Sequence, residues 1–193
     1  MNTPWRLFPA APAKLAPLVG ILVGAVGAAA YWLSAQVWPT SVAVVLSMLA
    51  TVLVTGGLHE RALARDVLGT LFLLFIKYNA LMALSAANLA FPLPEYVALG
   101  VIMIAGHAAS RALAATARMS SGDLVFALAL GFAPAAIMGV PGLMGLAAAI
   151  LVRMAFAAYL KRFAAAAGDT VDAVQQLTEV SFYLGALAAW KFV

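Results

Sequence analysis

The sequence predicts an all-α fold, a polytopic transmembrane bundle of about seven helices that forms a single domain over residues 1–193. Two observations indicate it. The chain is 66% hydrophobic and only 9% charged, whereas soluble domains carry about 25% charged residues. Its apolar runs are also continuous, and about 20 such residues cross a bilayer. A membrane β-barrel would instead show alternating segments of about 10 residues.

Seven apolar runs mark the predicted helices. They cover roughly Leu15–Trp38, Ser41–Gly57, Val67–Leu89, Tyr96–Ala115, Leu124–Val140, Leu143–Leu160 and Val171–Phe192. The fifth and sixth are short enough for a hairpin that need not cross the bilayer fully. Prolines and Lys14 interrupt the start of the first run, and no clear small-residue cleavage site follows it. We therefore expect a retained first helix rather than a signal peptide.

The distribution of basic residues predicts the orientation of the helices. Connections that carry Lys or Arg alternate strictly with connections that carry neither. By the positive-inside rule, the N-terminus and the basic connections face the cytoplasm, which predicts a multi-pass protein of the bacterial inner membrane. Most polar side chains then lie on one membrane face. Transporters more often place polar groups at the bilayer midplane, where only Lys77 and Arg153 are candidates, so this class is disfavoured.

Composition limits the other classes of function. The net charge of +4 does not indicate nucleic-acid binding, because most Lys and Arg residues lie near helix ends, where lipid head groups and orientation account for them. The sequence has no cysteine, which excludes disulfides and Cys-based metal sites. Gly20, Gly24 and Gly27 predict a surface where helices approach closely. The lipid bilayer is the expected environment, and a homo-oligomer is compatible with it.

Polar residues follow one face of the last helix. Asp172, Gln175, Gln176, Glu179 and Tyr183 recur at helical spacing. Glu179 lies two turns inside an apolar helix, where an acid is costly and usually functional. This predicts either a functional site or a structural partnership of Glu179 with Arg153 or Arg111.

Other polar residues have two interpretations each. After Gly56 and Gly57, His59 suits a general acid, a general base or a phosphate contact, or it bonds only its own loop. His107 precedes Arg111 by one helical turn and is either a packing histidine or part of a site. Arg111 suits a phosphate or carboxylate ligand. Asp169 is either a helix cap or a site residue.

Four segments taken in order resemble the cobalamin synthase family of membrane transferases. They are Pro17–Gly24, Thr55–His59, His107–Arg111 and Gly168–Val180. The resemblance implies a Mg²⁺-dependent reaction on corrinoid nucleotide and ribazole substrates. A hydroxyl of α-ribazole, or of its 5′-phosphate, attacks the phosphate attached to cobinamide in adenosylcobinamide-GDP, and GMP leaves. This is the final step of cobalamin biosynthesis.

The resemblance also implies site residues. The expected catalytic residues are His59, Glu60 and Asp66, the expected substrate-binding residues are Arg111, Ser110 and Gln176, and the expected metal ligands are Asp169, Asp172 and Glu179. The chain departs from the family signature after His59. Arg61, Arg65 and Leu68 stand where the family has aspartates, or a gap removes the acidic loop. An inactive scaffold that binds a corrinoid or a partner protein is therefore the alternative.

Overall fold

The computed structural model describes residues 12–55, 67–87, 95–116, 119–163 and 170–189. Within them the chain forms a short 3-10 helix, Ala13–Leu15, and seven α-helices. These are α1 (Ala16–Ala35), α2 (Thr40–Thr55), α3 (Val67–Ala86), α4 (Glu95–Ala115), α5 (Ser121–Ile137), α6 (Val140–Phe163) and α7 (Thr170–Ala189). The predicted all-α class and the seven helices are confirmed.

Local sequence signals set the ends of α5 and α6. The Ser120 hydroxyl caps α5 by accepting a hydrogen bond from the Asp123 backbone amide at 3.4 Å. Gly139 has a φ of 65°, a left-handed conformation that favours glycine, and α6 begins at the next residue, Val140. The prediction that the sixth helix begins at Leu143 was wrong, because Pro141 is well suited to the first turn of a helix.

Four helical segments are long and apolar enough to cross a membrane: Ala13–Ala35, Leu68–Ala86, Val97–Ala115 and Val140–Tyr159. The fifth and sixth runs were predicted to form two short helices. Only α5 is short, with 17 residues, whereas α6 has 24. Of the Val97–Ala115 span, 78% is buried, against 22–28% for the other three. Helix α4 is therefore the centre of the bundle, and it packs against α1, α5 and α7.

Glycines bring α1 against the backbone of α4. A Cβ atom added at Gly24 would lie 2.6 Å from the Cα of Ile104, and one at Gly20 would clash with the carbonyl of His107. One turn further along α1, the Ser47 hydroxyl of α2 donates a 2.7 Å hydrogen bond to the carbonyl oxygen of Gly27. The predicted glycine packing surface is confirmed, and it fixes α4 where its polar residues meet α7.

The bundle has one end at which charged side chains meet, here called the basic end. Lys14, just before α1, lies 3.7 Å from the Asp123 carboxylate in the first turn of α5. The start of α1 and the start of α5 are therefore adjacent. The short connection from α4 to α5 brings the C-terminal end of α4 to the same place.

Candidate functional site

The most buried carboxylate among the described residues belongs to Glu179, halfway along α7. Its Oε1 atom lies 2.6 Å from the Nζ of Lys77 on α3 and accepts a hydrogen bond from the Tyr183 hydroxyl at 3.1 Å. Its Oε2 atom lies 3.3 Å from the Nδ1 of His107 on α4. A buried charge is stable only when it is paired and hydrogen-bonded. Three helices therefore meet around this one carboxylate.

Of the two partners that the sequence suggested for Glu179, the structure supports Arg111, which interacts with it electrostatically. Arg153 is not a partner; the nearest polar groups are those of Lys77 and His107. Arg153 instead donates from Nε to the Leu113 carbonyl oxygen at 3.2 Å and from Nη2 to the Thr116 hydroxyl at 3.4 Å. A cation beside the last carbonyls of a helix is a stabilising arrangement. Arg153 therefore secures the end of α4.

Helices α4 and α7 run antiparallel along a shared polar interface. Gly106 of α4 faces the ring of Tyr183, four residues beyond Glu179. In the other direction, the Arg111 guanidinium interacts electrostatically with Glu179 and with Asp172, which lies two turns before Glu179. Since α4 ends at the basic end and α7 runs antiparallel to it, α7 begins at the basic end. The interface between the two helices therefore leads from the middle of the bundle to the basic end.

We call this interface the polar column. It consists of Lys77, His107, Arg111, Asp172, Gln175, Gln176, Glu179 and Tyr183. Gln175 and Gln176, one turn from Glu179, are each 3% exposed. The Gln175 side-chain nitrogen has no hydrogen-bond partner among the described residues. A buried amide without a partner costs about 1–3 kcal/mol, so this level of the column suits a ligand or water oxygen.

Arg111 is the group of the polar column that suits an anion. A guanidinium offers several fixed N–H donors and matches phosphate oxygens in a bidentate geometry. Its electrostatic interactions are strengthened because the surrounding helices lower the local dielectric constant. A phosphorylated ligand that enters from the basic end would reach Asp172 first and the level of Arg111 next.

The sequence model of the family described as Cobalamin-5-phosphate synthase matches residues 7–68 and 65–187. Together the two segments cover most of the chain. The chain belongs to the cobalamin-5-phosphate synthase family. The resemblance inferred from its four sequence segments is thereby confirmed.

Curated relatives in the cobalamin-5-phosphate synthase family carry the name adenosylcobinamide-GDP ribazoletransferase. The relative from Leptothrix cholodnii is 35% identical, and the alignment covers 94% of this chain and 86% of the relative. The relative from Ralstonia nicotianae is 33% identical, and the alignment covers 92% of this chain and 84% of the relative. The relative from Shewanella denitrificans is 34% identical, and the alignment covers 89% of this chain and 81% of the relative. No solved structure matches the chain significantly.

The structure brings together four of the nine site residues that the family resemblance implied. Arg111, Gln176, Asp172 and Glu179 all belong to the polar column. Ser110 is fully buried beside it, and its hydroxyl donates to the His107 carbonyl oxygen of its own helix at 3.2 Å. The other predicted residues lie outside the described residues, and their roles stay predictions: His59, Glu60, Asp66 and Asp169.

Sequence reasoning missed three members of the polar column. Lys77 was considered only as a transporter residue, while Gln175 and Tyr183 were seen in the stripe but given no role. The signal for Lys77 was available, since a lysine inside an apolar helix needs an acid, and Glu179 is the buried acid among the described residues. Helical periodicity shows which residues share one face of a helix, but it does not show which other helix packs against that face.

Proposed function

We propose that this chain joins adenosylcobinamide-GDP to α-ribazole, or to its 5′-phosphate, and releases GMP. The names of its relatives support the substrates. The structural observation that carries the proposal is the position of Arg111. Its guanidinium lies in the polar column, in the segment that resembles the family's middle motif, and it interacts with both Glu179 and Asp172.

The proposed reaction is a phosphoryl transfer that balances without another reactant. The ribazole hydroxyl oxygen forms a bond to the phosphorus that carries cobinamide, and the anhydride bond from that phosphorus to GMP breaks. The hydroxyl proton passes to a base, for which we predict His59. Such reactions depend mainly on positioning and on charge neutralisation. Arg111 would bind the nonbridging phosphate oxygens.

Mg²⁺ is our prediction for the cofactor. Phosphoryl-transfer sites often hold Mg²⁺ with one or two carboxylates and substrate phosphate oxygens. Within the part of the chain that the structure describes, no three His, Asp or Glu side chains form a metal cluster. Asp172 is the described carboxylate nearest the start of α7, and it would hold the ion together with Asp169, Glu60 or Asp66. When bound, the ion would neutralise charge on the transferred phosphate.

Glu179 suits the predicted metal set less well than Asp172. Seven residues separate the two, which places their Cα atoms about 10 Å apart along a helix. Both Glu179 oxygens already face partners, Lys77 and Tyr183 on one side and His107 on the other. We therefore propose that Asp172, and not Glu179, contacts the metal ion.

We infer that the site opens toward the cytoplasm of a bacterial inner membrane. The polar column leads to the basic end, and Lys14 lies at that end. Basic connections of membrane proteins stay in the cytoplasm. Large, charged, water-soluble substrates could then reach Arg111 without crossing the hydrocarbon region.

The test is GMP release by the purified full chain in liposomes of phosphatidylethanolamine and phosphatidylglycerol. The assay supplies adenosylcobinamide-GDP, α-ribazole and MgCl₂. We expect Arg111→Gln to lower kcat/KM for adenosylcobinamide-GDP about 10- to 100-fold, because a hydrogen bond to a charged group contributes about 1.5–3 kcal/mol. Lys14→Gln is the control, since its ion pair is exposed. Binding of adenosylcobinamide-GDP without any GMP release by the unaltered chain would overturn the proposal and favour an inactive scaffold.

A further inference from the structure

The deep end of the polar column holds an ion pair to which the proposed reaction assigns no role. Lys77 and Glu179 have side chains that are 5% and 1% exposed, and their charged atoms are 2.6 Å apart. Burying two charges costs desolvation energy that a salt bridge often fails to recover, so apolar residues of similar volume can serve stability equally well. Packing and stability alone therefore do not explain why Lys77 and Glu179 form a buried ion pair here.

The contacts of Glu179 suggest that reason. Lys77 and Tyr183 both bind Oε1, so the carboxylate is held from two sides at one oxygen. The other oxygen, Oε2, is directed at the Nδ1 of His107 on α4. Arg111 follows His107 by one helical turn on the same face of α4, and it feels the charge of Glu179. The carboxylate of the pair thus has a fixed position beside the polar face of α4.

The neighbouring backbone contacts leave this arrangement little freedom. The ring of Tyr183 packs on Gly106, where no side chain could fit. On the opposite side of α4, the backbone of His107 lies against Gly20 of α1. A close-packed interior transmits small displacements instead of absorbing them. With the backbone of α4 fixed between α1 and α7, the Glu179 carboxylate acts on the side chains of His107 and Arg111.

We propose that Lys77 is a positioning residue for phosphoryl transfer, acting through Glu179. Lys77 fixes the Glu179 carboxylate, and that carboxylate orients His107 and Arg111 so that the guanidinium meets the substrate phosphate. This inference rests on the proposed function, because it needs a phosphate at Arg111. It gives Lys77 a role in a transferase site instead of a transport path, and it gives Glu179 an orienting role in place of metal binding.

The experiment compares Lys77→Met, Glu179→Gln and the double variant with the unaltered chain, in the GMP-release assay. Each single variant leaves one buried charge without its partner, so it is expected to lose thermal stability. The double variant removes both charges, and the glutamine amide that replaces the carboxylate can still accept a hydrogen bond from the Tyr183 hydroxyl. We expect it to unfold near the temperature of the unaltered chain. Lys14→Met is the matched control, because Lys14 forms an exposed ion pair.

The Michaelis constants separate positioning from folding. Partial unfolding lowers the maximal rate and leaves both KM values unchanged, since the remaining molecules are intact. Lost positioning of Arg111 instead raises KM for adenosylcobinamide-GDP, because a displaced guanidinium loses its hydrogen bonds to the phosphate. We expect the folded double variant to lose at least about 10-fold in kcat/KM for adenosylcobinamide-GDP, with KM for α-ribazole unchanged.

Two outcomes overturn different conclusions. If the unaltered chain releases GMP and the folded double variant is equally active, Lys77 and Glu179 are structural only and the positioning role is wrong. If the unaltered chain releases no GMP, the proposed function itself fails.

Discussion

Gly106 of α4 and Tyr183 of α7 lie so close together that a Cβ atom on Gly106 would be 2.5 Å from the Cε1 atom of Tyr183. The tyrosine occupies the place that a side chain on α4 would take. From there its hydroxyl reaches Glu179 at 3.1 Å. One missing methyl group on α4 therefore permits a hydrogen bond at the centre of the polar column.

Substituting Gly106 by alanine is expected to destabilise the bundle. The new methyl group would push the Tyr183 ring away from Glu179, and overpacking of this kind costs about 1–3 kcal/mol. The loss is measured as a lower midpoint of thermal unfolding in detergent. Gly122→Ala is the control, because nothing lies within 4 Å of a Cβ added there. Equal midpoints for the two variants would contradict the packing described for Gly106.

Substituting Ser47 by alanine is expected to weaken the contact between α2 and α1. The buried Ser47 hydroxyl donates to the Gly27 carbonyl across the two helices, and such a hydrogen bond contributes about 0.5–1.5 kcal/mol. Ser85→Ala is a matched control, since within the described ranges the Ser85 hydroxyl bonds only the Met82 carbonyl of its own helix. Thermal unfolding should show a lower midpoint for the first variant. A larger loss for Ser85→Ala would refute the assignment.

Arg153→Met should affect stability and leave substrate recognition intact. The variant loses the bonds from Arg153 to Leu113 and Thr116 at the end of α4, which we expect to cost about 1–2 kcal/mol of unfolding free energy. KM for adenosylcobinamide-GDP should stay as in the unaltered chain, in contrast to Arg111→Gln. A raised KM with an unchanged unfolding midpoint would show that Arg153 contacts substrate.

Asp172→Asn tests the proposed metal contact. We expect a rate lower by about 10-fold or more and a higher Mg²⁺ concentration at half-maximal rate, because an amide binds Mg²⁺ less strongly than a carboxylate. Asp123→Asn is the matched control, since Asp123 also lies in the first turn of a helix and pairs with Lys14. An unchanged Mg²⁺ dependence in Asp172→Asn would remove this residue from the metal site.

The helices could be predicted from sequence because their apolar runs and breaks are local features. The boundary error at Leu143 arose because proline, which often ends a helix, is also favoured in the first turn of one, where Pro141 lies. The polar face of α7 could also be predicted from local sequence, because Asp172, Gln176 and Glu179 follow the helical period.

The contacts between helices could not be predicted in the same way. Glu179 pairs with Lys77, more than 100 residues earlier, because α3 packs beside α7. Periodicity does not tell which helix lies opposite a polar face. The predicted roles of His59, Glu60, Asp66 and Asp169 stay predictions, because these residues lie outside the described part of the chain.

The ion pair between α3 and α7 also sets an order of events during biosynthesis. A ribosome delivers Lys77 to the membrane well before it has made Glu179. A lysine at the centre of a lone transmembrane helix costs about 2.5–3.5 kcal/mol on insertion scales, so the nascent α3 stays destabilised until the acid arrives. Nascent chains that stop short of α7 would keep that lysine uncompensated, which makes the packing of α7 against α3 the step that neutralises it.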